Sequence, residues 1–227
     1  MEKFKRFTDH GTGVNPFVPP RAKRGKASAA AVWGGRLLGS LAALVRVPLA
    51  ALLLLVVVGA HALLGLLPLP RSLKRVMLRP VDMLLLRLVL LLLGFWRLPI
   101  GRGELKRTLR RPGAAGGERD RTGSASHGDV LVCNHSSYLD VLILQCLFSP
   151  DYVLVHADEP RAALAAFPAA LVAAASPTPA GARPLAAFPL ALDEALDAAA
   201  GPAVLFVEGT STNGAGLLRA PPSIEAW

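Results

Sequence analysis

An uncharged apolar run from Val47 to Leu67 is the feature that most limits what this chain can fold into. As an α-helix, these about 21 residues would extend about 31 Å, enough to cross the hydrocarbon core of a bilayer. Its single titratable group is His61, which we interpret as a neutral imidazole that faces a neighbouring helix; an intramembrane functional histidine is the alternative. The sequence therefore predicts a membrane-embedded region, with its best span at residues 47–67.

Two weaker apolar segments flank this run. Residues 28–46 contain Arg36 and Arg46 and predict an interfacial helix or a lead-in. Residues 81–97 are interrupted by Asp82 and Arg87, so they predict a partly embedded helix with Trp96 at the headgroup level. Because basic residues flank both apolar blocks, a hairpin that enters and leaves on the same membrane face is the favoured topology for residues 28–100.

The charge balance predicts an anionic partner. The formal net charge is +9 and the isoelectric point is about 10.4. Basic residues precede, divide and follow the apolar region, which fits contact with a membrane lipid surface. Residues 1–27 form a basic, polar N-terminal segment without a secretory apolar core. No zinc-finger spacing or aromatic-basic motif supports nucleic acid, so none is expected as a partner.

The second half of the chain predicts an α/β domain. A basic, Gly/Ser-rich linker at 101–128 leads into three short apolar runs, at 129–133, 152–156 and 203–207, that read as buried strands. Helical segments are predicted between them, at 137–148, 161–175 and 184–200. Strands that alternate with helices favour a largely parallel sheet at residues 129–227. The two cysteines, Cys133 and Cys146, belong to no metal-ligand pattern, so no metal or cofactor is expected.

The segment NHSSYLD, Asn134 to Asp140, follows the first predicted strand. Functional groups of α/β folds gather at the carboxyl ends of strands, so His135 is well placed for chemistry. On one helix, His135 and Asp140 would lie about 140° apart, so they converge only if His135 is on a turn and Asp140 begins a helix. Ser136 or Ser137 would cap that helix. The pair could act as a carboxylate-oriented general base; a capped turn with a solvated aspartate is the alternative.

A second polar segment, VEGTSTNG, follows the run at 203–207. Gly209 permits close backbone approach, and hydroxyls and loop N–H groups could hold a phosphate. Taken alone, this segment is also a plain turn.

Together the two segments resemble the signatures of the PlsC-type glycerolipid acyltransferase superfamily. NHSSYLD is similar to its NHxSxxD form of the HxxxxD motif, and VEGTSTNG to its FPEGT motif. Val207 stands in place of the usual proline and Ser211 in place of a frequent arginine; Arg183 is a weak candidate for a third motif. The N-terminal MEKFKRFTDHGTGVNPFVPP resembles fungal lysophosphatidate:oleoyl-CoA acyltransferases of the endoplasmic reticulum and lipid droplets.

The resemblance implies transfer of an acyl chain from acyl-CoA to the free hydroxyl of a lysophospholipid, most simply lysophosphatidate. It implies that His135 is the general base and Asp140 its partner. The residues that it implies for substrate binding are Asn134, Ser137, Glu208, Gly209, Thr210, Ser211 and Asn213.

The implied location is the endoplasmic reticulum or lipid droplet membrane, with the catalytic domain towards the cytosol. Relatives continue beyond the second motif, so we expect the α/β domain to be incomplete at its C-terminus and this form to be weak or inactive. A catalytically silent membrane or lipid-droplet scaffold that retains the fold is the alternative.

Overall fold

The computed structural model of the chain describes residues 29–98, 125–156, 159–175 and 184–207, together with the single residues Asn15 and Ile224. Two long helices come first, α1 (Ala29–Leu66) and α2 (Arg71–Leu92). They are joined through residues 67–70 and pack against each other as a helical hairpin. Residues 1–14, which belong to the predicted basic N-terminal segment, and residues 101–124 of the predicted linker lie outside the described residues.

Helix α1 is longer than the sequence pattern predicts. The predicted span at 47–67 and most of the lead-in before it form one helix that continues through Pro48. At 1.5 Å per residue its 38 residues extend about 57 Å. Within the described part of the chain, the segment Trp33–Leu66 is the one helix long and apolar enough to cross a membrane.

Helix α2 corrects the prediction of a helix at about 81–97. It begins at Arg71, directly after Pro70, and ends at Leu92. Pro70 has an extended backbone that suits the residue preceding a helix. The basic residues that follow it are good helix formers and continue the helix instead of breaking it.

The α/β part contains a five-stranded sheet in the order β1-β5-β2-β3-β4. Its strands are β1 (Val130–Cys133), β2 (Asp151–Val155), β3 (Arg161–Ala165), β4 (Leu190–Ala191) and β5 (Ala203–Phe206). The three strands predicted from sequence are confirmed as β1, β2 and β5, which run parallel to one another. However, β3 and β4 are antiparallel to their neighbours, so the sheet is mixed and the prediction of a largely parallel sheet is only partly right.

The helices of this part are α3 (Tyr138–Phe148), α4 (Phe167–Ala175) and α5 (Leu192–Asp197). The predicted helix at 137–148 is confirmed. The predicted helix at 161–175 is wrong in its first third, since Arg161–Ala165 pairs with β2 as a strand. Pro168 lies in the first turn of α4, where no intrahelical N–H bond is lost. The predicted helix at 184–200 is also wrong: a 3₁₀ turn at Leu185–Ala187 and β4 precede the short α5.

One apolar core joins the hairpin to the α/β part. Val57 of α1 and Leu86 of α2 are fully buried in a cluster with Val141 of α3, Phe167 of α4 and Val204 of β5. A second cluster covers the other face of the sheet, where α5 packs over β3, β4 and β2, and it includes Ala203 and Leu205 of β5. Because β5 is central and covered on both faces, its predicted burial is confirmed. The hairpin is thus held on the helices that cover this face of the sheet, with α2 packed on α3 and α1 on α4.

Arg75 of α2 joins the hairpin by hydrogen bonds to the loops at one end of the sheet. Its guanidinium donates hydrogen bonds to the backbone oxygens of Ser149 at 2.8 Å, Phe148 at 3.0 Å and Ala200 at 3.4 Å. Two of these carbonyls lie at the C-terminus of α3, where a positive charge is favoured. Gly201 sits so close that any added Cβ atom would collide with the Arg75 guanidinium.

Candidate active site

The turn between β1 and α3 carries the first motif. Ser137 is the N-cap of α3: its hydroxyl accepts a hydrogen bond from the backbone N–H of Leu139 at 3.2 Å. In return, the carboxylate of Asp140 accepts one from the backbone N–H of Ser137 at 2.9 Å, which completes a capping box. The prediction that a serine of this turn caps the helix and that Asp140 lies in its first turn is confirmed.

The Asp140 carboxylate has further contacts with the turn. The backbone N–H of Ser136 donates to it at 2.6 Å, and the Ser136 hydroxyl donates at 3.0 Å. These hydrogen bonds fix the backbone directly after His135. Asp140 therefore holds the shape of the turn, whatever else its charge does there.

His135 lies at the end of β1 with its side chain turned towards the sheet. It is 8% exposed, and its Nε2 atom is buried. Its ring lies 4.8 Å, centroid to centroid, from the ring of Phe206, the last residue of β5. Aromatic contact at this distance fixes the plane of the imidazole.

The ends of β1 and β5 meet at this edge of the sheet. Cys133 is in register with Phe206, and the backbone N–H of Val207 donates to the Cys133 oxygen at 3.3 Å. The residue after β1 and the residue after β5 therefore leave the sheet side by side, as expected for parallel strands. Burial, and then the nearby Asp140 charge, raise the pKa of the Cys133 thiol, so this thiol is a poor nucleophile at neutral pH.

The predicted site residues divide into two groups. His135, Asp140, Asn134 and Ser137 lie together on the β1–α3 turn, with Asn134 exposed to solvent. The remaining predicted residues, Glu208, Gly209, Thr210, Ser211 and Asn213, and the candidate Arg183, lie outside the described residues. The structure brings the start of their segment, at Val207, to the same edge as His135.

Sequence reasoning missed a buried polar cluster at the junction of α1, α2 and α3. His61 Nε2 lies 2.9 Å and 3.1 Å from the two carboxylate oxygens of Asp82, which is completely buried. Gln145 of α3 donates to the same carboxylate at 2.6 Å, and the His61 ring lies 5.3 Å from that of Phe167. His61 thus faces a neighbouring helix, as predicted, but it has a carboxylate partner there. The signal was available, since His61 is the one titratable residue of 47–67 and Asp82 is the one acidic residue of 81–97.

A metal ion bound by the described residues would need a cluster of side chains that can act as its ligands. Among those residues, no group of three or more His, Cys, Asp or Glu side chains could hold a metal ion. The described groups at the candidate site offer an imidazole, a carboxylate, hydroxyls and backbone N–H donors, which are suited to proton transfer.

Comparison with known proteins gives one match. Residues 116–224 match the model of the Acyltransferase family. No curated protein and no solved structure matches the chain. The matched region contains both NHSSYLD and VEGTSTNG, together with the whole described sheet. The comparison therefore supports an acyltransferase domain of the PlsC type at residues 116–224 and acyl transfer as its general chemistry.

Proposed function

We propose that this chain transfers an acyl group from acyl-CoA to the free hydroxyl of a lysophospholipid, with lysophosphatidate as the first acceptor to test. The observation that supports this most is the position of His135. Its imidazole is buried against Phe206, where the two strands that precede the NHSSYLD and VEGTSTNG segments end side by side.

His135 acts as the general base in this proposal. One ring nitrogen takes the proton of the acceptor hydroxyl while that oxygen bonds to the thioester carbonyl carbon. The tetrahedral intermediate then collapses, the carbon–sulfur bond breaks, and the CoA sulfur leaves with the proton held by the imidazolium. A thioester is already activated, so a base and donors to the carbonyl oxygen are sufficient.

Asp140 serves this reaction through its charge and through the turn. Its hydrogen bonds to Ser136 and Ser137 keep the β1–α3 turn in the shape that presents His135. Its negative charge stabilises the imidazolium that forms during transfer. Asn134 and Ser137, with Glu208, Gly209, Thr210, Ser211 and Asn213, are proposed to bind the substrates.

The apolar surface of the hairpin explains how a lipid acceptor would be reached. Many apolar side chains of α1 are exposed, among them Leu37, Leu38, Leu41, Leu44, Leu52 and Leu55. We place the protein in the endoplasmic reticulum or lipid droplet membrane with the α/β domain towards the cytosol. Acyl-CoA is a co-substrate, and no bound cofactor or nucleic acid is part of the proposal.

A silent scaffold is the second candidate function. It is favoured by the hydrogen bonds of the Asp140 carboxylate with Ser136 and Ser137, an arrangement that a purely structural turn would also have. Such a protein would associate with membranes without turning over acyl-CoA.

An acyl-transfer assay on membranes decides between the two. Membranes that contain the full chain are given labelled oleoyl-CoA and a panel of lysophospholipids, with His135→Ala as the matched variant. We expect transfer to fall about 10²–10⁴-fold in His135→Ala, because a general base is lost. Equal transfer by the two proteins would refute the role of His135, and no transfer by the parent to any acceptor would contradict acyl transfer by this chain.

A further inference from the structure

A cavity of about 260 Å³ lies far from the candidate active site, at the opposite end of the sheet. It is lined by residues from the end of α1, the start of α2, α3, the start of β2 and the end of β3. Because β1, β2 and β5 are parallel, Asp151 at the start of β2 and His135 after the end of β1 lie at opposite edges. The cavity is therefore separate from the NHSSYLD turn.

The charged side chains around this cavity differ in how many hydrogen bonds they make with the protein. Asp82 is held by His61 and Gln145. Asp151 accepts hydrogen bonds from the backbone N–H groups of Ala200 and Gly201, and Arg75 is bonded to three carbonyls. The two carboxylates that line the cavity thus already have donors.

Two cations of the cavity wall are only weakly engaged. Arg71 reaches the Ala198 oxygen at 3.5 Å and Lys74 reaches the Gly65 oxygen at 3.3 Å, both long for hydrogen bonds. Within the described ranges, His61 and Asp82 form the one ion pair. Neither Arg71 nor Lys74 therefore contacts a carboxylate of the described residues. The cavity wall therefore offers positive charge to an anion.

The inner wall of the cavity also contains a hydrogen-bond acceptor without a donor among the described residues, the side-chain oxygen of Gln145. Gln145 is 3% exposed, and its Oε1 atom is buried and accepts no hydrogen bond from the described part of the chain. Its amide orientation is fixed, because Nε2 donates to the Asp82 carboxylate at 2.6 Å. A buried acceptor without a donor is unfavourable, so a ligand hydroxyl that reaches this oxygen and donates to it would be stabilised.

The surroundings of the cavity favour an amphiphile over a soluble ion. Leu64, Leu78 and Phe167 line it. Next to it on α1, Leu63 is 69% exposed and Leu66 is 83% exposed. Exposed apolar side chains at the end of a membrane-type helix suit an acyl chain beside a bound headgroup.

We propose that this cavity is a second lipid site, which binds the phosphate- and hydroxyl-bearing headgroup of an anionic lipid through Arg71 and Lys74. The site is distinct from the candidate active site and does not rest on the proposed acyl transfer.

Photolabelling of the full chain in lipid nanodiscs tests the proposal. The probe is a lysophosphatidate with a diazirine in its acyl chain near the glycerol, and labelled peptides are located by mass spectrometry. The His135→Ala background is used so that turnover cannot consume the probe. We expect labelling within residues 61–78, falling at least about tenfold in Arg71→Gln/Lys74→Gln, since both charged donors to the headgroup are removed.

The matched control removes two charges away from the cavity. Arg79→Gln/Arg97→Gln should keep the labelling, because neither side chain lines the cavity. Both double variants should unfold at the temperature of the parent, since all four side chains lie at the surface or are only partly buried. Lys74→Arg should keep the labelling, because it preserves the charge.

Three competitors define the ligand. An unlabelled lysophosphatidate should displace the probe, whereas a monoacylglycerol of the same chain length and free glycerol 3-phosphate should not. Equal displacement by monoacylglycerol would overturn the anion site, and equal displacement by glycerol 3-phosphate would overturn the lipid assignment. Absence of label at 61–78, or label that Arg71→Gln/Lys74→Gln leaves unchanged, would refute the site. Acyl transfer is read separately in the parent, so cavity labelling without transfer would refute only the proposed function.

Discussion

The Asp140 carboxylate accepts a 2.6 Å hydrogen bond from the backbone N–H of Ser136, the residue that follows the buried imidazole of His135. The carboxylate thus shapes the turn on which the proposed base is presented. This structural role of Asp140 is distinct from the catalytic role that we propose for its charge, and substitutions can separate the two.

Asp140→Asn separates charge from geometry. An asparagine oxygen can still accept hydrogen bonds from the backbone N–H groups of Ser136 and Ser137. We therefore expect the free energy of unfolding to fall by less than about 1 kcal/mol. Acyl transfer should nevertheless fall by about 10²–10⁴-fold, because the imidazolium loses its carboxylate. Asp140→Ala should lose both activity and stability. Full transfer by Asp140→Asn would show that the residue only caps the helix.

Arg75 should be the cation of α2 that matters most for stability. Arg75→Gln removes hydrogen bonds to the carbonyls of Phe148, Ser149 and Ala200, and we expect the free energy of unfolding to fall by about 1–3 kcal/mol. Arg79→Gln, an exposed neighbour on α2, should change it by less than about 0.5 kcal/mol. Thermal unfolding in detergent compares the two variants. Equal losses would contradict a stabilising role for the hydrogen bonds of Arg75.

The buried pair of His61 and Asp82 predicts a non-additive response. His61→Leu leaves the buried Asp82 carboxylate without its imidazole and with the Gln145 amide still donating to it, and we expect the free energy of unfolding to fall by about 3–5 kcal/mol. The double variant His61→Leu/Asp82→Leu should recover much of this loss, because no charge is then left buried. Unfolding of the parent, the single variants His61→Leu and Asp82→Leu, and the double variant gives the coupling energy, and simple additivity would exclude a direct interaction.

Tyr152 predicts a loss of stability in alkali. Its hydroxyl donates to the Val141 oxygen at 2.9 Å, and burial, then the charges of Asp82 and Cys133, raise its pKa well above the ordinary value. A neutral acid whose pKa is raised by folding contributes stability below its unfolded pKa, about 10, and loses it as the pH rises further.

The matched variant for this prediction is Tyr152→Phe. At pH 8 the parent should be more stable than Tyr152→Phe by about 1 kcal/mol, from the hydrogen bond to Val141. Above pH 10 the difference should shrink and then reverse, since phenylalanine cannot ionise. Denaturant unfolding at several pH values measures the difference, and a constant gap up to pH 11 would refute the shift.

Membrane association should survive both high salt and alkaline carbonate. Neither treatment weakens the hydrophobic contribution of the exposed apolar side chains of α1. Tags at the two chain ends should also be accessible to protease from the same side if the hairpin topology is right. Release of the protein into the supernatant by both treatments would contradict the membrane assignment, and protection of a single tag would contradict the hairpin.

Local signals predicted the β1–α3 turn well. The apolar run before Asn134, the capping serine and the acidic residue three positions later are all contained in one short segment. The predicted placement of His135 at a strand end needed no tertiary information. That the ends of β1 and β5 meet followed from the rule for parallel strands.

Non-local contacts account for most of the errors. RAALA at 161–165 contains good helix formers, yet it is a strand because β2 offers an antiparallel partner. The basic residues at the start of α2 predict a division between two apolar segments. In the structure they are helical, and Arg75 donates to carbonyls more than 70 residues away in sequence. The partner of His61 is 21 residues away, and Gln145 is another 63 residues beyond Asp82. No sequence periodicity reports such distances.

The hydrogen bond from Gln145 to Asp82 also has a meaning for biosynthesis. At roughly 5–20 residues per second, a ribosome completes Gln145 about 3–13 s after Asp82, which lies 63 residues earlier. During that interval α1 and α2 can already meet through His61 and Asp82, but the third partner of the carboxylate does not yet exist. Pairing of α1 with α2 can therefore precede their packing against α3, and the addition of Gln145 completes the set of hydrogen bonds that holds the Asp82 carboxylate.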